Sequence, residues 1–510
     1  MKNILYILLF ISSVGYSQTP ITDNNFKSAI ANCLSTHPVT GLCVDSEYGP
    51  MPDWDVSNVT DMSDAFKDRT IFNAEIGNWD VSNVTDMGFR TTFIYKGMFY
   101  RAKSFNQPIG DWDVSNVTDM SLMFDRAESF NQTIGDWDVS NVTDMYYMFH
   151  MASSFNQPIG DWDVSNVTDM SSMFRAESFN QPIGDWDVSN VTTMHSMFSR
   201  TSEAANSFNQ PIGDWDVSNV TDMKDMFYGA TSFNQPIGDW DVSNVTDMNY
   251  MFSMASSFNQ PIGDWDVSNV TSMFSTFDSA IKFNQPIGDW DVSNVTKMVD
   301  MFLYAGSFNQ DIGDWDVSNV TEMLEMFAGA ASFNQDIGAW DVSNVNNMGY
   351  MFYKSGLNTC NYDNALIGWS TLDLTIGTPL TFTDIHYCDS ETERQSIIDN
   401  FGWSIQDNGL DCSDPCLTSG ISELNTITDL SIYPNPTNKL FHVEMTLSES
   451  IDLQMQVMDI HGRIVHKEAM NNLGNKVSKS IDLSDEPTGT YLLRFINGEQ
   501  VKNRKIVLQK

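Results

Sequence analysis

Residues 105 to 129 read FNQPIGDWDVSNVTDMSLMFDRAES, and the phrase at their centre, Trp-Asp-Val-Ser-Asn-Val, recurs twelve times between Trp54 and Trp340, mostly at 25-residue intervals. A unit of that length cannot bury its own apolar face, so neighbouring units must pack on one another to complete a core. The apolar residues of the unit are Phe105, Ile109, Trp112, Val114, Val117, Met120, Met123 and Phe124. Alternation across Trp112 and Val114 predicts a short strand near Asp111 to Val114, with every second side chain inward. From Met120 to Phe124 the spacing becomes i, i+3, i+4, which predicts a helical or 3₁₀ turn on the opposite side.

Ile109-x-x-Trp112-x-Val114 matches the L-x-x-L-x-L spacing of leucine-rich repeats. The expected fold is therefore a mainly β/short-helix, leucine-rich-repeat-like right-handed solenoid with one parallel strand per unit, followed by a small C-terminal all-β sandwich domain. Insertions at Gly88 to Gly97 and Ser199 to Asn206 are expected to bulge from the side opposite the strands. The unit also resembles FNQxIxxWDxSNVTDMSxMF, the repeat of BspA-like leucine-rich-repeat surface proteins and mycoplasma lipoproteins, over roughly residues 50 to 412. Asn116 falls one place earlier than the asparagine of the ordinary leucine-rich register. The resemblance implies a surface protein that adheres to host, matrix or polymeric partners.

The start of the chain, MKNILYILLFISSVGYSQ, has Lys2, an apolar run from Ile4 to Ile11 and small residues before Gln18, the pattern of a secretory signal over residues 1–17. No later apolar run approaches the length of a membrane helix, so no transmembrane segment is expected in the mature chain. Residues 18–50 then read as an N-terminal cap, 51–355 as the array of twelve repeats, 356–412 as a C-terminal cap with Trp369 and Trp403 in GWS contexts, and 413–429 as a Ser/Thr/Asp-rich linker. The six cysteines avoid the regular repeats: Cys33 and Cys43 precede them, and Cys360, Cys388, Cys412 and Cys416 follow. In an exported chain such placement reads as disulfides stapling the ends of the array, ahead of zinc, for which the scattered histidines offer no partner set.

Residues 430 to 510 carry ten Lys or Arg against nine Asp or Glu, whereas the whole chain has a net charge of −41, so a domain boundary precedes them. Alternating runs LFHVEM, LQMQVMDI, TYLLRFI and KIVLQ, separated by turn signals, predict a small β-domain. Tyr433-Pro434-Asn435-Pro436, Asp459 to Val465, Gly489-Thr490-Tyr491 and Lys505 to Leu508 resemble the C-terminal sorting domain of the type IX (Por) secretion system. That resemblance implies type IX secretion machinery as a partner, and secretion or outer-membrane surface attachment in a Bacteroidetes-type bacterium.

Catalytic signatures are missing from the sequence: there is no His-Glu-x-x-His, Gly-x-Ser-x-Gly or phosphate-binding glycine loop, and twelve near-equal carboxylate settings do not supply the separated pKa values that a catalytic pair needs. The chain is read as no enzyme. Strong acidity disfavours nucleic acid and anionic membrane partners.

The repeated carboxylates are the candidate site. Asp111 and Asp113 flank the inward Trp112, and with Asp136, Asp138, Asp161 and Asp163 they would form outward columns. Neighbours at ~5 Å would repel by roughly 0.8 kcal/mol each in bulk-water dielectric. Two readings follow: a calcium-binding ladder, or solubilising turn residues that accept local hydrogen bonds. The second is favoured because the G-G-x-G-x-D calcium repeat is lacking. Trp112 and its copies read as core, and Asn116 as a structural ladder residue. The functional expectation is adhesion to, or binding of, extracellular protein or polysaccharide partners; the alternative is a structural envelope or biofilm component, cation-bridged and without a specific ligand.

Overall fold

The computed structural model describes residues 19–200, 206–382, 384–412, 422–423, 426–459, 463–484, 486–497 and 500–509. The predicted secretory signal, Cys416, most of the linker and residues 201–205 of the second insertion lie outside the described residues. The chain divides into two compact units, Met1–Asp411 and Cys412–Lys510, each with its own core.

The first unit opens with α1 (Asp23–Thr36), whose Asn25 side-chain Oδ1 accepts the Thr22 N–H at 2.8 Å and so satisfies a donor at the helix start. Its buried residues Phe26, Ala29, Ile30, Cys33 and Leu34 fall on one face. Phe26 meets the Trp79 ring edge-on at 5.9 Å. A disulfide from Cys33 to Cys43 fastens the end of α1 to the following loop.

Within the repeats all eight apolar positions of the 105–129 unit are buried, from Phe105 at 0% to Trp112 at 4% exposure. The backbone that buries them differs from expectation. Asp111 lies in a turn closed by the Trp112 N–H to the Ile109 carbonyl at 3.2 Å, and Trp112 to Val114 form no strand. The single parallel bridge of each unit sits five residues later, at Asp119, which pairs with Asp86 behind and Asp144 ahead. Met120 to Phe124 are not helical either. Leu122 has a φ of 55° and Arg126 of 59°, and these left-handed residues interrupt any helix.

The hydrogen-bond accounting explains why. The amides of Met120, Leu122, Phe124 and Arg126 donate to the carbonyls of Asp144, Tyr146, Met148 and His150 in the next unit at 2.7–3.1 Å, while those of Met123, Asp125 and Ala127 turn back to the carbonyl three residues earlier. Every second amide is thus committed to a neighbour and cannot close a helix. The expected leucine-rich-repeat-like right-handed solenoid with a strand per unit is therefore overturned. Among the described residues the strands lie in several small sheets, helix makes up 8% of the chain, and no strand runs through the WDV phrase. The first insertion, expected to bulge from the side opposite one parallel strand per unit, brings antiparallel pairing instead: β1 (Gly88–Arg90) and β2 (Tyr95–Gly97) form a hairpin.

Successive units nevertheless lie closely in register. Phe124 stacks on Phe149 at 5.5 Å, Phe130 on Phe155 at 5.9 Å, and Trp137 on Trp162 at 6.5 Å. Each indole also hydrogen-bonds backward, as Trp137 Nε1 does to the Ile109 carbonyl at 3.1 Å. A Cβ on Gly135 would stand 2.8 Å from the Pro158 carbonyl oxygen of the following unit. Glycine at this position is demanded by the close approach of two backbones.

After the last repeat, β3 (Met348–Gly349), β4 (Pro379–Thr381) and β5 (Ser404–Gln406) pair in parallel, with α2 (Thr359–Trp369) and α3 (Glu391–Phe401) between them. The stretch read as a C-terminal cap thus contains two helices. The buried Asp363 carboxylate on α2 accepts the amides of Cys388, Asp389 and Ser390 just before α3 at 3.0–3.2 Å, holding the start of that helix.

In the second unit β6 (Ser422–Glu423), β7 (Ile427–Tyr433), β8 (Leu440–Leu447), β9 (Ile451–Asp459), β10 (Ile464–Leu473), β11 (Lys476–Asp482), β12 (Gly489–Asn497) and β13 (Gln500–Leu508) form two sheets, ordered β10-β9-β12-β13-β6 and β11-β8-β7. Alternation puts Phe441, Val443 and Met445 of one sheet and Leu453, Met455, Val457, Leu493 and Phe495 of the other into a common core.

Candidate functional site

The turn after each tryptophan sets the chemistry of the repeated face. Asp113 is exposed, and its Oδ1 accepts the Ser115 N–H at 3.1 Å and the Ser115 hydroxyl at 2.6 Å. The backbone bond recurs at Asp138 and Asp163 at 3.1 Å. Side-chain and backbone hydrogen bonds from the serine hold the carboxyls of Asp138 and Asp187 below the usual carboxylate value. These carboxylates are turn-forming acceptors. Asp111, Asp136 and Asp161 lie exposed one turn earlier, beside the glycine that touches the next unit. The structure does not draw the two classes together into a chelating set: among the described residues no group of three or more His, Cys, Asp or Glu is placed to hold a metal ion.

Three further polar ladders run from unit to unit. Asn141 Nδ2 donates to the Ser115 carbonyl of the preceding unit at 2.8 Å, as Asn116 Nδ2 does to Ser82 at 2.7 Å, and Thr143 Oγ1 donates to the Thr118 carbonyl at 3.2 Å. At the start of each unit, Asn131 Oδ1 accepts the Asn156 N–H at 3.0 Å and Gln157 Nε2 at 2.9 Å. Trp112 and its copies are core residues, so they present no aromatic ladder to solvent. Cys360, Cys388 and Cys412 are disulfide-bonded, as are Cys33 and Cys43.

The opposite stretch, from the methionines onward, varies from unit to unit. Here Tyr146, Tyr250, Tyr304 and Tyr350 alternate with Asp225, Asp300 and Glu325. Burial, then repulsion from Glu325 and Asp278, pushes the Asp300 carboxyl up to about 6. Over this stretch Arg90 of β1 reaches two and three units onward: its Nε donates to Asp144 Oδ2 at 2.8 Å, its Nη2 donates to Asp169, and its guanidinium lies 4.1 Å over the Tyr146 ring. Reading the sequence missed this clamp. Its one signal was the longer interval between Asp86 and Asp119, which marks where the hairpin is inserted. A cavity of about 390 Å³ lies along the turns at Asp264, Asp289 and Asp314, where Asp311 stands in place of the proline found at Pro261 and Pro286.

Comparison with known proteins gives two matches. Residues 43–93, 92–207, 200–302 and 282–375 match the family model described as Mycoplasma protein of unknown function, DUF285. Residues 431–509 match the secretion system C-terminal sorting domain. No curated protein and no solved structure matches the chain. The sorting domain implies the type IX secretion machinery and a secreted or surface-attached protein of a Bacteroidetes-type bacterium. Among the described residues no helix is long and apolar enough to cross a membrane.

Proposed function

We propose, from the premise that the chain belongs to the DUF285 repeat family, that this secreted or surface protein uses its array as a binding face through which cells adhere to extracellular protein or polysaccharide. The observation that carries this reading is the repetition, unit after unit, of exposed Asp, Asn and Thr side chains held in place by hydrogen bonds, the Asp by the serine of its own turn and the Asn and Thr by carbonyls of the preceding unit. A preorganised polar surface loses little freedom on binding, and it suits an extended partner better than a small molecule. The likeness of the unit to BspA-like surface proteins supports adhesion as its use. Catalysis is no part of this reading, because the repeated carboxylates occupy like environments.

The test measures binding of the full chain to a panel of immobilised matrix proteins and polysaccharides, with and without calcium. The expected result is saturable binding to a member of the panel, changed about tenfold or more by the combined substitutions Asp161→Lys, Asp185→Lys and Asp214→Lys on the exposed turns. Binding to no member, or binding indifferent to the triple substitution, would refute it and leave the envelope-component reading in its place.

A further inference from the structure

The repeats bury their large apolar side chains, with one local exception. On the hairpin β1–β2, Phe93 is 89% exposed, Ile94 48%, Tyr95 45% and Phe89 39%. Elsewhere in the repeats, exposed large apolar side chains stand singly, as Ile281, Tyr304 and Tyr350 do. The hairpin is also held firmly. Arg90 grips Asp144 and Asp169, Lys67 Nζ donates to the Tyr95 carbonyl at 2.9 Å, and the Gly88 amide bonds the Asp119 carbonyl at 3.0 Å. An apolar tip fixed on a rigid support is the arrangement of a docking anchor, because little ordering entropy remains to be lost.

Charge identifies what can dock there. Residues 64–103 carry six Lys or Arg against five Asp or Glu, whereas residues 104–360 carry seven against 35. A copy of so acidic a chain is repelled along almost the whole array, and at physiological salt that repulsion fades beyond about 8 Å. Two copies can therefore meet only where charge is locally cancelled. The one stretch of the repeats that is balanced also carries the exposed apolar cluster. Its mixed charges suit the self-complementary contact of a twofold pair: Lys96 lies 5.3 Å over the Phe89 ring, and Asp64 and Asp68 lie beside Lys67 and Arg101.

We infer that the β1–β2 hairpin is a self-association site, through which two copies of this chain pair with Phe93 and Ile94 at the centre of the contact. The inference is independent of the ligand that the polar face binds.

Sedimentation equilibrium of the full chain across a range of concentrations tests it. The expected result is a reversible dimer whose dissociation constant rises about tenfold or more in Phe93→Ser/Ile94→Ser. Both residues are exposed, so the variant should keep the parent's melting temperature. Ile376→Ser, which removes a lone side chain 82% exposed far from the hairpin in sequence, should leave dimerisation unchanged. A monomer at every concentration would overturn the inference. So would an unchanged dissociation constant in the hairpin variant, or a monomer that instead binds lipid vesicles through Phe93 and Ile94.

Discussion

Replacing Gly238 by alanine tests the close contact between units, because a Cβ there would lie 2.6 Å from the Pro261 carbonyl oxygen. The obstacle is backbone and cannot swing aside, so the following unit must retreat by roughly half an ångström or more, enough to forfeit a quarter or so of each contact's dispersion energy. Beside the lesion, the bond from Trp265 Nε1 to the Ile237 carbonyl at 3.1 Å would stretch, losing about 1 kcal/mol. Overpacking adds about 1–3 kcal/mol. The expected cost is about 3 kcal/mol, a large share of a domain stability of roughly 5–15 kcal/mol. Gly306→Ala is the control: a Cβ there meets nothing within 4 Å, so the variant should gain about 0.4–1 kcal/mol by restricting the unfolded chain. Urea unfolding followed by tryptophan fluorescence reads both. A Gly238→Ala midpoint within error of the parent would mean that the units do not approach as described.

Asn209→Ala removes the acceptor of the Asn234 N–H and of Gln235 Nε2, at 2.9 and 3.0 Å; it should cost about 2 kcal/mol in the same assay, largely restored by Asn209→Asp, which keeps the acceptor. The Asp300 carboxyl, raised to about 6 in the folded state, opposes folding when ionised. Asp300→Asn should therefore raise the melting temperature at pH 7.5, and its advantage should shrink as pH falls through 6 and vanish near 4. Conversely Asp55, Asp138, Asp187, Asp266 and Asp316, held below the usual value by serine hydrogen bonds, contribute stability above pH 4 that is lost on further acidification; melting curves from pH 7.5 to 2.5 should show both limbs. Deleting residues 431–509 should leave the tryptophan fluorescence and melting of the first unit intact, since its core shares no residue with that of the second. The deletion should also abolish delivery to the cell surface, measured by protease accessibility on intact cells.

The repeat, its buried positions and the two-part organisation were legible in the residues alone. The spacing of Phe105, Ile109, Trp112 and Met120 dictates which side chains face inward whatever the backbone does, and the sorting domain carries its own pattern from Tyr433 to Leu508. The local acceptor role of Asp113 was also within reach, because its partner Ser115 lies two residues away. What the backbone does between inward positions was not. Inward placement of Trp112 and Val114 fits a strand or a turn equally, and the turn is closed by the Trp112 N–H on the Ile109 carbonyl; farther on, only contact with the next unit decided against a helix, by taking the amides of Met120, Leu122, Phe124 and Arg126. The left-handed residues at Leu122 and Arg126 carry no glycine to announce them. Nor could spacing reveal that Arg90 meets Asp144 and Asp169, 54 and 79 residues away. Such pairings depend on register between units, so they exist only once the units have packed, whereas burial follows from each side chain's own aversion to water.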